Sequence, residues 1–114
     1  MKIKTSLLLT GSLCFALSAM TPAHAAVDAG AAQALAKKND CTKCHAPDKT
    51  KKGPSYKKIA AKYKDKKLTE KDAIKQMTEG KKVKLEDGTE EDHKIIETKD
   101  PKELSNIAQW ILSH

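Results

Sequence analysis

Residues 41–45 read Cys41-Thr42-Lys43-Cys44-His45, and no other stretch of the chain limits its possible folds so strongly. Two thiols separated by two residues lie on one turn of chain and can reach two points of a single group. The histidine that follows then lies beside whatever they hold. Haem attachment gives this spacing a mechanical reason: each thiol adds across one vinyl group to form a thioether, and His45 lies under the ring as an axial iron ligand. Three other chemistries use the same residue types. A thioredoxin-like pair expects a βαβ setting, a structural zinc site wants two more ligands at matched spacing, and a plain disulfide leaves His45 without a role.

Residues 1–25 read as a secretory leader. Lys2 and Lys4 give a basic start, residues 6–20 are apolar or small, and Ala23-His24-Ala25 supplies an A-x-A cleavage pattern. The predicted mature chain is residues 26–114, exported to the periplasm as one domain. The apolar stretch is too short for a permanent span, so no stable membrane insertion is expected. A lipid attached at Cys14 is the alternative, but Leu13 stands where a lipobox wants a small residue.

The 89 residues that remain form a domain near the small end of what folds alone. Phe15 departs with the leader, and only Tyr56, Tyr63 and Trp110 are left as aromatic residues. A core so thin needs a disulfide, a metal or a cofactor, and one haem supplies the missing apolar mass. Removing Lys2 and Lys4 lowers the 22 basic residues to 20 against 15 acidic ones, a net +5. Every basic residue is lysine. Arginine is the residue that grips phosphate or guanine in two places, so this surface suits loose electrostatic docking, or simple solvation, and nucleic acid is excluded as a partner.

Spacing and capping residues predict four helices. The first covers 27–38 and ends at Asn39-Asp40. The second opens after Gly53-Pro54, with Pro54 at the helix start and Tyr56, Ile59, Ala60 and Tyr63 on one stripe. The third has Thr69 as N-cap and Asp72 three residues on, buries Ala73, Ile74 and Met77, and stops at Gly80. The last has Asp100 as cap, Pro101 in its first turn, Glu103 completing a capping box, and a stripe of Leu104, Ile107, Ala108 and Ile111. Residues 81–99 read as a flexible loop with a turn at Asp87-Gly88. An all-α chain of this kind denies the βαβ setting of a thioredoxin-like site.

From about residue 28 to residue 114 the chain resembles a small bacterial class I cytochrome c. The resemblance rests on a helix leading into CTKCH, then Gly53-Pro54-Ser55-Tyr56, then Ile107-Ala108-Gln109-Trp110-Ile111-Leu112 in the final helix. It implies an all-α fold of about four helices wrapped around one covalent haem c, with the first and last helices crossing. Cys41 and Cys44 would carry the thioethers and His45 the proximal ligation. The Pro54 carbonyl would accept from the His45 ring N–H and fix its orientation.

One part of the family pattern is missing. The family supplies a methionine as distal ligand in the loop before the last helix, and this loop has none. Met77, the one methionine left after the leader, falls in the third helix, where core packing explains it, although it stays an alternative ligand. Counting back from Trp110 puts the family's methionine position close to His93. His93 is therefore the candidate distal ligand, although an isolated histidine in an acidic stretch is ordinarily a surface residue. Lys94 and His114 are minor candidates.

With both axial positions filled, the resemblance implies a monomeric one-electron carrier rather than an enzyme. Lys49, Lys51, Lys52, Lys57 and Lys58 would steer it to acidic redox partners. Two alternatives remain: a haem protein that binds or senses a small gas such as NO or CO, and a haem subunit of a periplasmic oxidoreductase.

Overall fold

In the computed structural model, which describes residues 26–114, four helices form where the apolar spacing predicts them. The predicted leader and Cys14 lie outside the described residues. Helix α1 (Ala29–Lys38) is capped by Asp28, whose carboxylate accepts from the Ala31 N–H at 2.9 Å. Helix α2 (Tyr56–Asp65) is capped by Ser55, whose hydroxyl accepts from the Lys58 N–H at 3.1 Å. Pro54 therefore precedes the cap instead of opening the helix, because a serine hydroxyl can satisfy a free helical N–H and a proline cannot.

Helix α3 (Glu70–Thr78) starts at Thr69, where the Asp72 carboxylate accepts from the Thr69 N–H at 2.7 Å and from its hydroxyl at 2.9 Å. It ends before Gly80, which has φ +61°, the left-handed conformation that glycine enters at least cost. Helix α4 (Pro101–Leu112) has the Asp100 carboxylate on the Lys102 N–H at 2.9 Å. Glu103 does not close a capping box there. Its carboxylate turns out to the Thr98 hydroxyl.

The core forms around α4, whose Ile107 and Ala108 are fully buried. Helix α1 meets it through Ala32 and Ala36, and these methyl side chains let the two backbones approach closely. The join is fastened at its end: Asp28 N–H donates to Asn106 Oδ1 at 2.8 Å, and the Asn106 amide donates to the Asp28 carbonyl at 2.9 Å. Helix α3 is tied to α4 by the Glu70 carboxylate, which accepts from the Ser105 hydroxyl and from the Gln109 amide.

Part of segment 81–99 is ordered into a two-stranded antiparallel ribbon, β1 (Lys82–Lys84) and β2 (Glu90–Asp92), with Val83 opposite Glu91. The Asp87-Gly88 turn is present at its tip. Gly88 has φ +87°, and the Asp87 carboxylate accepts from the Thr89 N–H at 2.9 Å. Among the described residues, no helix is long and apolar enough to cross a membrane.

Candidate functional site

Asp40, at φ +60°, turns the chain out of α1 into a single 3-10 turn, Cys41–Lys43. The His45 N–H returns to the Cys41 carbonyl at 2.9 Å, so both thiols and the imidazole leave one tight turn. Both cysteines are free and half-buried. Burial pushes the Cys41 thiol above its ordinary range, and Asp40 and Cys44 add to the shift, so it is a neutral thiol at pH 7.

The next residues hold the His45 ring from below. Gly53 N–H donates to the Cys44 carbonyl at 2.9 Å, which brings the Gly53 backbone under the imidazole. A Cβ there would lie 2.9 Å from His45 Cε1, so no side chain fits without displacing the ring. His45 Nδ1–H donates to the Pro54 carbonyl at 2.5 Å. A carbonyl can only accept, which fixes the proton on Nδ1 and leaves the Nε2 lone pair free. Burial lowers the pKa of His45, outweighing the opposite effect of the Pro54 bond, and nearby His93 lowers it further. The ring is therefore neutral at pH 7, the form a metal binds.

Tyr56 stacks beside His45 with ring centroids 5.8 Å apart and planes at 27°. Trp110 meets Tyr56 edge-on at 5.0 Å, and His114 packs on both. His114 Nδ1 donates to the Trp110 carbonyl at 2.9 Å, so the terminal histidine is engaged with this cluster. The Tyr56 hydroxyl is buried with no partner among the described residues, and burial pushes its pKa up to about 12. A buried donor without an acceptor is expensive in a finished fold.

His93 follows β2 directly, and its segment is held rather than loose. His93 N–H donates to the Lys81 carbonyl at 2.9 Å, Ile96 N–H to the Met77 carbonyl at 2.9 Å, and Glu97 N–H to Asn39 Oδ1 at 3.1 Å. The flexible loop expected from the sequence is thus a pinned ribbon. Its strands are too polar to show alternation, but their backbones pair and their opposed charges include a Lys82–Asp92 contact at 3.7 Å. The His93 ring N–H at Nδ1 donates to the Lys94 carbonyl at 2.8 Å, so its Nε2 is also free.

The His45 and His93 rings lie 6.2 Å apart, centroid to centroid, tilted by 42°. A metal–imidazole bond is about 2 Å, so two nitrogens on opposite sides of one metal are about 4 Å apart. The ring bodies extend the centroid separation to roughly 6 Å. The arrangement fits an iron held between two imidazoles, in a group anchored by Cys41 and Cys44, and the orphan Tyr56 hydroxyl fits a neighbour that brings its own acceptors. Met77 is buried in the hydrophobic core together with Ala73, Ile107 and Trp110, as its helix stripe predicts. Sequence reasoning missed Ser55, Asn39 and the close approach at Gly53. A serine just before an apolar stripe and an asparagine at a helix end were the available signals.

The family described as Cytochrome c matches residues 29–114. The chain is similar to the class 1 cytochrome MtoD from Sideroxydans lithotrophicus ES-1, at 50% identity and TM-score 0.72, over 77% of this chain and 97% of that one. It is also similar to wild-type Nitrosomonas europaea cytochrome c552, at 28% identity and TM-score 0.54, over 71% of this chain and 96% of that one. Among curated proteins no relative matches.

Proposed function

The chain belongs to the cytochrome c family, and from that premise we propose that it is an exported, monomeric one-electron carrier whose haem iron lies between His45 and His93. Family membership makes it a haem-based electron-transfer protein and not an enzyme, with a covalent c-type haem and redox proteins as partners. The haem, when bound, supplies one-electron exchange between ferric and ferrous iron. The chain's own residues hold and shield it. Cys41 and Cys44 anchor it through thioethers, and Pro54 and Gly53 orient the His45 ring. The pinned ribbon would supply His93 as the second imidazole to hold the iron.

The observation that carries this reading is the neighbouring pair of imidazoles, with ring centroids 6.2 Å apart, each with Nδ1–H committed to a backbone carbonyl and Nε2 left over. Met77, packed in the core, has no comparable preparation. A second imidazole in place of methionine lowers the reduction potential relative to histidine–methionine relatives. Export rests on the leader at residues 1–25, and the exposed Lys49, Lys51, Lys52, Lys57 and Lys58 favour acidic docking partners.

The test is the visible and paramagnetic-resonance spectrum of the mature protein beside that of His93→Ala. The reading requires a low-spin, six-coordinate wild type without the long-wavelength sulfur-to-iron band, and a variant whose reduced form takes up CO. A sulfur-ligated spectrum in the wild type, unchanged by His93→Ala, refutes it in favour of Met77. Ready CO uptake by the wild type itself refutes the carrier in favour of a gas-binding protein.

A further inference from the structure

We propose that Asn39 is a positioning residue, a clamp that ties the segment carrying His93 to the turn carrying the cysteines and so sets the gap between the two imidazoles. The inference rests on the reading of His93 as distal ligand and adds to it the residue that controls how firmly that ligand is held.

Asn39 ends α1 two residues before Cys41, and its side chain bonds in two directions. Its amide donates back to the Leu35 carbonyl at 2.9 Å, which locks the side chain against the last turn of α1. Its Oδ1 accepts the Glu97 N–H at 3.1 Å, across 58 residues of sequence. Because the amide group is held from its nitrogen side, its oxygen is aimed before Glu97 arrives.

Among the described residues, two hydrogen bonds join the stretch around the cysteine motif to the segment around His93. One runs from the Glu86 N–H to the Lys52 carbonyl at 3.1 Å, at the far end of the ribbon, and is backbone to backbone. The Asn39 bond is closer to His93 in sequence and is the one made by a side chain. The other ties of the segment run to Met77 in α3 and to Lys81 just before β1, and they would travel with His93 if the distal half shifted away from the motif. Asn39 is therefore placed to resist the motion that opens the gap.

An external ligand must displace His93 to bind iron, so its apparent affinity reports how firmly His93 is held. The probe is cyanide on the oxidised holoprotein, with CO on the reduced one. Asn39→Ala should bind either ligand about five-fold more tightly than wild type, the ratio that corresponds to one net hydrogen bond. Asn39→Asp keeps an oxygen for the Glu97 N–H but loses the Leu35 bond that aims it, and should fall between wild type and Asn39→Ala on the same scale. Loss of the helix end alone would affect both variants equally.

Equal affinities in wild type and Asn39→Ala overturn the proposal, as does Asn39→Asp matching Asn39→Ala. A wild-type spectrum with sulfur ligation defeats the reading beneath it instead, which keeps the two failures apart. Should Asn39→Ala not assemble, amide exchange in the wild-type holoprotein decides. The Glu97 N–H should exchange at least about ten-fold more slowly than that of Lys94, which lacks an acceptor among the described residues, and equal rates overturn the clamp.

Discussion

Gly53 decides where the His45 imidazole can lie. Its missing side chain leaves room for His45 Cε1, its N–H holds the Cys44 carbonyl, and the residue after it supplies the carbonyl that orients Nδ1. A methyl group at 2.9 Å from the ring cannot be absorbed by the neighbouring backbone, so the imidazole must turn or the segment must lift. Gly53→Ala should lose about 1–3 kcal/mol of stability to overpacking. The same change should alter the low-spin ferric paramagnetic spectrum, because the plane of the ligand ring moves. Denaturant unfolding and the ferric spectrum of the holoprotein check both effects, and an unchanged spectrum would mean that Gly53 does not constrain the ring. The cysteine motif was legible in the sequence from its local spacing, whereas the Pro54 contact came only through the family resemblance. The Gly53 contact was not legible, since a glycine before a proline reads first as a turn, and only the position of the ring shows that space itself is needed.

At the scale of elements, the capping residues were the most legible part of the chain, and α3 shows why. Thr69, Asp72 and Gly80 state both ends of the helix in local chemistry, and the structure uses all three. The ribbon was illegible for the opposite reason. Its strands read Lys-Val-Lys and Glu-Glu-Asp, so no apolar alternation announces them, and their order comes from backbone pairing and from ties to Lys81, Met77 and Asn39. The α3 cap carries a pH signature. The Thr69 N–H and hydroxyl hold the Asp72 carboxyl below the usual range. A carboxylate whose folded pKa is depressed stabilises the protein fully above its unfolded value of about 3.9 and ceases to do so as pH falls through the lower folded value. Asp72→Ala should therefore melt a few degrees below wild type at neutral pH, with the gap narrowing as pH drops below about 4. Thermal melts of the two proteins across that range test it. A gap that stays constant would show that the ionised carboxylate is not what caps the helix.

Across the whole molecule, charge is distributed in a way that bears on partner choice. The ion pairs among the described residues use Lys43, Lys75, Lys81 and Lys82, and none uses Lys49, Lys51, Lys52, Lys57 or Lys58. These five are not equivalent. Lys51 turns its ammonium back onto the Thr42 carbonyl, and Lys52 lies with Glu86 and Asp87 around one cleft, where the Thr89 hydroxyl and N–H lower the Asp87 pKa and the Lys52 charge adds a little. Lys49 is exposed and unpaired, and so are Lys57 and Lys58, which stand side by side on the first turn of α2 just after the Gly53-Pro54 element and offer two adjacent charges to an incoming acidic protein. Rim charges of this kind act on the rate of encounter more than on the final affinity, and they are screened over a Debye length of about 10 Å at 0.1 M salt. Replacing both by glutamine should slow second-order electron transfer to an acidic acceptor several-fold at low ionic strength, and the difference from wild type should vanish as salt rises towards about 1 M, where screening reaches roughly 3 Å. The same replacement at Lys102, exposed on α4, should leave the rate nearly unchanged. If the α2 and α4 variants respond alike, net charge alone drives the encounter; if neither responds, docking depends on contacts other than these lysines. The steering surface assigned here requires the α2 variant alone to lose rate, and to lose it only at low salt.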